Sequence, residues 1–207
     1  MLKKIIFLSF MLSCGLASAE TTPAQQQLEA FLEKTQSLSA NFQQKLVDQY
    51  GYLLQQSTGT LKMQRPGKFR WDYVLPYPQN IISNGEKIWM YDSELEQVNV
   101  RKYDQLLASS PINLLDKKQK LDIEFIIKSM PSSENQNWIK LLPKNAESDF
   151  KAMVVGLQNG NIKTMRFVDN FNQQTDIEFE QLVVNPSFNS SEFEFNAPEG
   201  TDVIGDF

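Results

Sequence analysis

Three carboxylates at alternate positions, Asp176, Glu178 and Glu180, are the first residues whose types and spacing suggest chemistry. Alternate side chains of a strand share one face, and paired carboxylates hydrolyse glycosides. A carboxylate-based cell-envelope hydrolase is therefore one reading. The other is a solvated outer face, because Ile177 and Phe179 fall between the carboxylates and point to the opposite side. Alternation explains all three acidic residues at once, which makes the solvated face the stronger reading. The chain has no histidine. That removes His-based general acid–base catalysis, His-containing triads and His metal ligation. Its single cysteine, Cys14, lies in the apolar N-terminal stretch, so a zinc site of the usual kind is excluded as well. Serines are plentiful, and a Ser-Lys pair stays open, but no assembled nucleophile is visible. We expect a protein that is not an enzyme and that uses no metal and no cofactor.

A different kind of chemistry centres on Arg65. The stretch Leu61-Lys62-Met63-Gln64-Arg65-Pro66-Gly67-Lys68-Phe69-Arg70-Trp71-Asp72-Tyr73 reads as two extended segments around a Pro-Gly bend. Leu61, Met63 and Arg65 share one face of the first segment. Phe69, Trp71 and Tyr73 share one face of the second, with Lys68, Arg70 and Asp72 opposite. Arg65 thus ends its strand on the apolar side, beside a proline that has no N–H to donate. An unpaired buried charge is costly, so a guanidinium there requires acceptors. Either it snorkels to water, or it locks onto the carbonyls of an element that moves.

The elements that must position these residues are mostly strands. Thr22-Pro23 reads as an N-cap with Pro at the first helical position. Leu28, Phe31, Leu32, Thr35 and Leu38 then recur at helical spacing, predicting an amphipathic helix that ends near Phe42. Beyond it the period is two. Strands are predicted over 58–65, 68–75, 79–83, 87–92, 96–102, 122–129, 137–142, 151–158, 162–169, 174–184 and 193–195. Asn84-Gly85 and Asn159-Gly160 mark tight hairpins, since both residue types tolerate positive φ. Between 104 and 120, Leu106-Leu107 and Ser110-Pro111-Ile112-Asn113-Leu114-Leu115 predict one or two short helices. Alternation nominates an inward set: Leu61, Met63, Phe69, Trp71, Tyr73, Val98, Val100, Ile123, Phe125, Ile127, Met153, Val155, Leu157, Ile177 and Phe179. Composition alone leaves open whether this set is a filled core or a cavity wall. The fold class is mainly β (α+β): a long, strongly curved antiparallel sheet with a few helices on its concave side.

The N-terminus carries its own signal. Lys3 and Lys4 precede an apolar run from Ile5 to Leu12, and Ala17-Ser18-Ala19 is an A-x-A site, so cleavage after Ala19 is expected. Residues 20–207 then form one domain of roughly 190 residues. Met11-Leu12-Ser13-Cys14 resembles a lipoprotein box, in which Cys14 would be acylated and anchor the chain. Leu12 fits poorly where that box uses a small residue, and the downstream A-x-A site favours a soluble secreted protein. With Cys14 removed, no disulfide forms even in an oxidising compartment. A net charge of −5 and a pI near 4.9, with no basic block, argue against nucleic-acid binding.

The stretch from Arg65 to Trp71 resembles the R-P-x-x-F-x-W motif of the LolA family, periplasmic carriers of outer-membrane lipoproteins. Chain length, leader, first helix and strand order are similar to that family over roughly the whole chain after the leader. The resemblance implies an incomplete β-barrel closed by a helical lid, with acyl chains received between sheet and helices. It implies that Leu28, Phe31, Leu32, Ile112, Leu114 and Leu115 belong to the lid, and that Arg65 bonds to lid carbonyls when the cavity is empty. It also implies partners: acylated lipoproteins, an inner-membrane ABC transporter complex that loads the carrier, and an outer-membrane lipoprotein receptor that unloads it. A periplasmic monomer is expected. A carrier or receptor for another lipid on the same fold is the nearest alternative; the receptor would need an anchored Cys14.

Overall fold

The computed structural model describes residues 22–103, 112–116 and 120–205. The leader with Cys14, the predicted helix start at Ser110-Pro111, and Leu106, Leu107, Lys117 and Lys118 lie outside the described residues.

Helix α1 (Pro23–Lys34) begins as its sequence dictates, with Thr22 Oγ1 accepting the Gln25 N–H at 3.3 Å and Pro23 in the first turn. It buries Ala24, Leu28, Phe31 and Leu32. It stops well short of Phe42. Thr35 is extended, and its hydroxyl donates to the Phe31 carbonyl at 2.6 Å. Strand β1 (Ser37–Val47) starts at once. Leu38 and Phe42 misled the helical reading because a spacing of four satisfies both periods. The intervening Ala40 is buried too, which shows the true period to be two.

Eleven further strands follow: β2 (Leu53–Gln64), β3 (Lys68–Leu75), β4 (Gln79–Asn84), β5 (Lys87–Asp92), β6 (Gln97–Lys102), β7 (Phe125–Ser129), β8 (Asn137–Pro143), β9 (Phe150–Gln158), β10 (Asn161–Asp169), β11 (Gln174–Val184) and β12 (Asp202–Gly205). They form one sheet in the order β12-β6-β5-β4-β3-β2-β1-β11-β10-β9-β8-β7. All pairs are antiparallel except β12 on β6. The edges β7 and β12 do not pair among the described residues, so the curved sheet stays open. The predicted strand 193–195 does not form: Phe193 ends a 3-10 turn (Ser190–Phe193) and Glu194 and Phe195 belong to no strand, whereas the short β12 is not among the predicted strands. Short helices α2 (Asn113–Asp116) and α3 (Leu121–Glu124) interrupt the meander between β6 and β7.

Register shows how the concave face is built. Leu38, Met63 and Phe69 lie opposite one another on β1, β2 and β3, as do Ala40, Leu61 and Trp71. Across the other half, Ile177, Met165, Val155 and Ile139 form a second cross-strand row. These rows close on α1 and α2 into one apolar cluster. Gly59 makes room within it. A Cβ there would meet the Asp72 carbonyl oxygen at 1.9 Å and the Phe42 ring at 2.8 Å. The Phe42 ring stands edge-on to Trp71 and Tyr73, with centroids 5.2 Å away in each case.

Three predicted inward residues lie outside the buried concave cluster. Val98 and Val100 are buried, but on the convex side. They oppose Tyr91 and Trp89, whose rings pack against Phe195 of the C-terminal segment. Alternation grouped the two valines correctly but could not assign their face, because a period of two says which residues share a face and not which side of the sheet that face becomes. Ile123 is 62% exposed, since residues 121–124 form a helical turn and the strand begins only at Phe125, yet it lines the cavity beside α2.

Candidate functional site

Arg65 sits immediately after β2, where the backbone leaves the sheet, and its N–H donates to the Gln36 carbonyl at 2.8 Å. Its side chain reaches up to the helices. Nη1 donates to the Leu32 carbonyl at 2.6 Å and Nε donates to the Leu115 carbonyl at 2.7 Å. Both acceptors have a physical reason to be there. Leu32 lies in the last turn of α1, whose carbonyls lack intrahelical donors and carry the negative end of the helix dipole. Leu115 lies in the single turn of α2, which leaves its carbonyls equally in need of donors. One guanidinium thus joins two helices that share no sequence neighbourhood.

The fit is not complete. Arg65 Nη2 is buried with no hydrogen-bond partner among the described residues. Burial lowers the Arg65 pKa from the ordinary guanidinium value, and nearby Asp116 opposes that shift. The group remains a cation, held at a cost by the elements around it.

Asp116 is the part of this arrangement that the sequence did not reveal. Its Oδ1 accepts the Gly67 N–H at 2.8 Å, and its Oδ2 accepts the Tyr103 hydroxyl at 2.6 Å. Gly67 follows the Arg65-Pro66 pair at φ +74°, and a Cβ there would lie 2.8 Å from the Gly85 Cα. The Pro-Gly bend therefore holds α2 twice: Arg65 through a carbonyl and Gly67 through a carboxylate. Asp116 directly follows the Leu114-Leu115 pair, but nothing in its local sequence marks it out.

Beneath these bonds the helices fill the concave face. Leu28, Phe31 and Leu32 of α1, Leu114 and Leu115 of α2, and Ile112 just before it are all buried in the same cluster as Leu61, Met63, Phe69, Phe125, Met153, Val155, Ile177 and Phe179. Trp71 and Tyr73 are partly buried at its margin, where the Tyr73 hydroxyl donates to Gln44 at 3.1 Å. Ile139 and Leu141, absent from the predicted inward set, are fully buried there too. A cavity of about 380 Å³ lies between α2, α3 and strands β7 to β9. Leu114, Ile123, Phe125, Phe150 and Met153 wall it, and Lys144, Asn145 and Ser148 stand at its polar side. Leu114 belongs to the Arg65-bound helix, so moving α2 would enlarge the space.

The three carboxylates that opened the question of catalysis face outward. Asp176 pairs with Arg166 at 2.6 Å, Glu178 with Lys163 at 2.9 Å, and Glu180 accepts from Gln43 at 2.9 Å. Each is thus engaged by its own neighbour on the convex surface.

The model of the family described as Outer membrane lipoprotein carrier protein LolA matches residues 33–196. The chain belongs to the LolA family. The outer-membrane lipoprotein carrier protein of Methylococcus capsulatus is 41% identical over 197 residues, which cover 95% of this chain and 94% of that protein. That of Dechloromonas aromatica is 39% identical over 183 residues, 88% of each chain. Among solved structures, an uncharacterized conserved protein from Thermus thermophilus shares the fold, with a TM-score of 0.55 at 11% identity, covering 89% of this chain and all of that one. The Arg65-Pro66 bend and α2 lie within the span that the family model matches, whereas α1, apart from its last two residues, precedes it.

Proposed function

We propose that this protein is a periplasmic carrier of outer-membrane lipoproteins: it shelters their acyl chains between sheet and helices and is not an enzyme. The observation that carries this reading is the Arg65 fork. A static core has no need of a half-buried cation that joins the carbonyls of two separate helices while one of its own nitrogens, itself buried, stays unpaired among the described residues. A lid that must open has that need, because the bonds close the empty cavity yet are exchangeable for water once the helices lift.

The physics of the task fits this device. Each buried methylene contributes about 0.8 kcal/mol, so acyl chains leave a bilayer only for an equally apolar shelter. A shelter that bound without cost would never release them. Breaking the Arg65 bonds on loading subtracts a fixed free energy from binding and returns it on delivery. Arg65 is the lid lock. Leu61, Met63, Phe69, Trp71, Tyr73, Phe125, Met153, Val155, Ile177 and Phe179 are the wall that meets the chains once Leu28, Phe31, Leu32, Ile112, Leu114 and Leu115 withdraw. The reading extends to residues 20–207 as one carrier domain, released after Ala19. It receives cargo from an inner-membrane ABC transporter and passes it to an outer-membrane receptor.

The test is release from membranes. Spheroplasts carrying labelled, newly made outer-membrane lipoproteins are incubated with the processed protein. The expected result is lipoprotein in the soluble fraction, in stoichiometric complex with this protein. No release by folded protein, with the transporter active, would remove the carrier reading.

A further inference from the structure

The two rims of the sheet are made differently. On the rim nearest Arg65, the β2–β3, β4–β5 and β9–β10 turns carry Pro66-Gly67, Asn84-Gly85 and Asn159-Gly160, which are small or polar, and only the β7–β8 turn adds a large apolar group among the described residues, Met130 at 39% exposed. On the opposite rim four neighbouring turns carry large apolar groups held out into water, while the fifth, β8–β9 (residues 144–149), carries Lys144 and no large apolar group. Phe171 is 80% exposed, Tyr50 77%, Tyr52 71%, Leu95 68%, Tyr77 66% and Leu75 60%. Strand order places these turns side by side: β10–β11, then β1–β2, β3–β4 and β5–β6. Each is about 10 Å from the next, two strand spacings away, so together they make one continuous ribbon.

The ribbon is pre-organised. Asp48 Oδ1 accepts the N–H groups of Tyr50 and Tyr52, both at 2.9 Å. Asp169 Oδ1 does the same for Phe171 and Gln173, both at 2.8 Å. Asp92 Oδ1 accepts from Glu94 and Leu95 at 3.0 and 3.1 Å. The fourth turn is stiffened by Pro76 and Pro78 on either side of Tyr77. Rigid aromatic groups on fixed turns lose little entropy when they are covered. Nothing in the carrier chemistry of the concave face uses them.

Charge decides what covers them. The four turns, residues 48–54, 74–79, 92–97 and 169–173, contain five carboxylates and no lysine or arginine. Lys151 reaches this rim from β9, where it bonds Asn172 at 3.0 Å. The balance is still strongly acidic. Surfaces that lie on anionic lipid interleave apolar groups with Lys and Arg, and this rim does the reverse. We propose that it is the docking edge for a protein partner that offers an apolar seat flanked by Lys or Arg side chains. The carrier reading enters only in the choice of membrane for the test.

Binding of the labelled, processed protein is measured on three probes: intact spheroplasts, spheroplasts shaved with trypsin, and protein-free vesicles of phosphatidylethanolamine and phosphatidylglycerol. Saturable binding to intact spheroplasts is expected, with none after shaving and none on vesicles. The Tyr50→Ser/Tyr77→Ser/Phe171→Ser variant should bind at least about tenfold more weakly. Glu94→Lys/Glu96→Lys should weaken binding several-fold, and Glu86→Ser on the other rim should not change it. Binding of a soluble fluorescent fatty acid is measured in parallel and should stay within about twofold for the rim variants, because none of the substituted side chains belongs to the apolar cluster or lines the cavity. Rim variants that bind spheroplasts like the wild type overturn the proposal. So does rim-dependent binding to the vesicles, which would make the rim a bilayer contact, and so does the absence of saturable wild-type binding. A wild type that takes up the fatty acid but ignores spheroplasts overturns the docking edge alone. One that docks through the rim but takes up no fatty acid overturns the carrier reading alone.

Discussion

Replacing Arg65 by leucine should make the protein bind acyl chains more tightly. The guanidinium donates to Leu32 and Leu115 at 2.6 and 2.7 Å. A hydrogen bond from a charged donor contributes about 1.5 kcal/mol net at the low end of its range. The buried, unpartnered Nη2 costs about 1 kcal/mol in lost hydration. The lock therefore favours the closed arrangement by about 2 kcal/mol, a factor of about 30 in the closed-to-open equilibrium. When the binding-competent state is a minor one, apparent affinity is reduced by its population. Removing the lock should then lower the Kd for a fluorescent fatty acid by up to about 30-fold. The same variant should fail to hand cargo on, because delivery no longer regains the two bonds. Arg65→Lys should fall between, since an ammonium is a point charge and cannot fork to both carbonyls. Titration of the fatty acid, with circular dichroism and urea unfolding to verify the fold, reads the outcome. An unchanged or weaker affinity in a cooperatively folding Arg65→Leu protein would refute the lock.

Further outcomes follow from the same geometry. Asp116→Ala frees the Gly67 N–H and the Tyr103 hydroxyl from their shared acceptor, so it should loosen α2 and tighten acyl binding in the same direction as Arg65→Leu, by a smaller factor. Gly59→Ala places a methyl on the Asp72 carbonyl and the Phe42 ring, and should lower the urea midpoint by an amount worth about 2 kcal/mol or more. A protein retaining Trp71 alone, with Trp89 and Trp138 replaced by Phe, should change its fluorescence on loading; one retaining Trp89 alone should not, because Trp89 packs on the convex side against Phe195. Glu192 has its pKa lowered, first by the hydrogen bond from Lys62 at 2.5 Å and then by the Asn189 N–H. A depressed folded value means that its contribution is present above the unfolded value of about 4.3 and is lost as pH falls through the folded one. Lys62→Met should therefore shrink the difference between urea midpoints measured at about pH 6 and near pH 3.

Much of this protein was legible in its residues because local rules act locally. Period-two alternation located most of the strands. The Asn-Gly dipeptides located their hairpins. The Thr22-Pro23 pair located the start of α1, and Arg65-Pro-Gly-Lys-Phe-Arg-Trp71 pointed to the family and to the residue that joins sheet and helices. The absence of histidine excluded whole classes of catalysis, and the spacing of Asp176, Glu178 and Glu180 already favoured an outer face. What the residues could not decide was which side of the sheet each face became. Val98 and Val100 alternate as correctly as Leu61 and Met63, yet a C-terminal segment covers them from the convex side. Leu38 and Phe42 fit a helix and a strand equally, and only pairing with β2 and β11 settled the matter. The acceptors of Arg65, the second hold through Asp116, and the gathering of Tyr50, Tyr77 and Phe171 on one rim all join residues far apart in sequence. Such contacts have no local period. They come into being only when the sheet curves and its strand order brings distant turns and helix ends together.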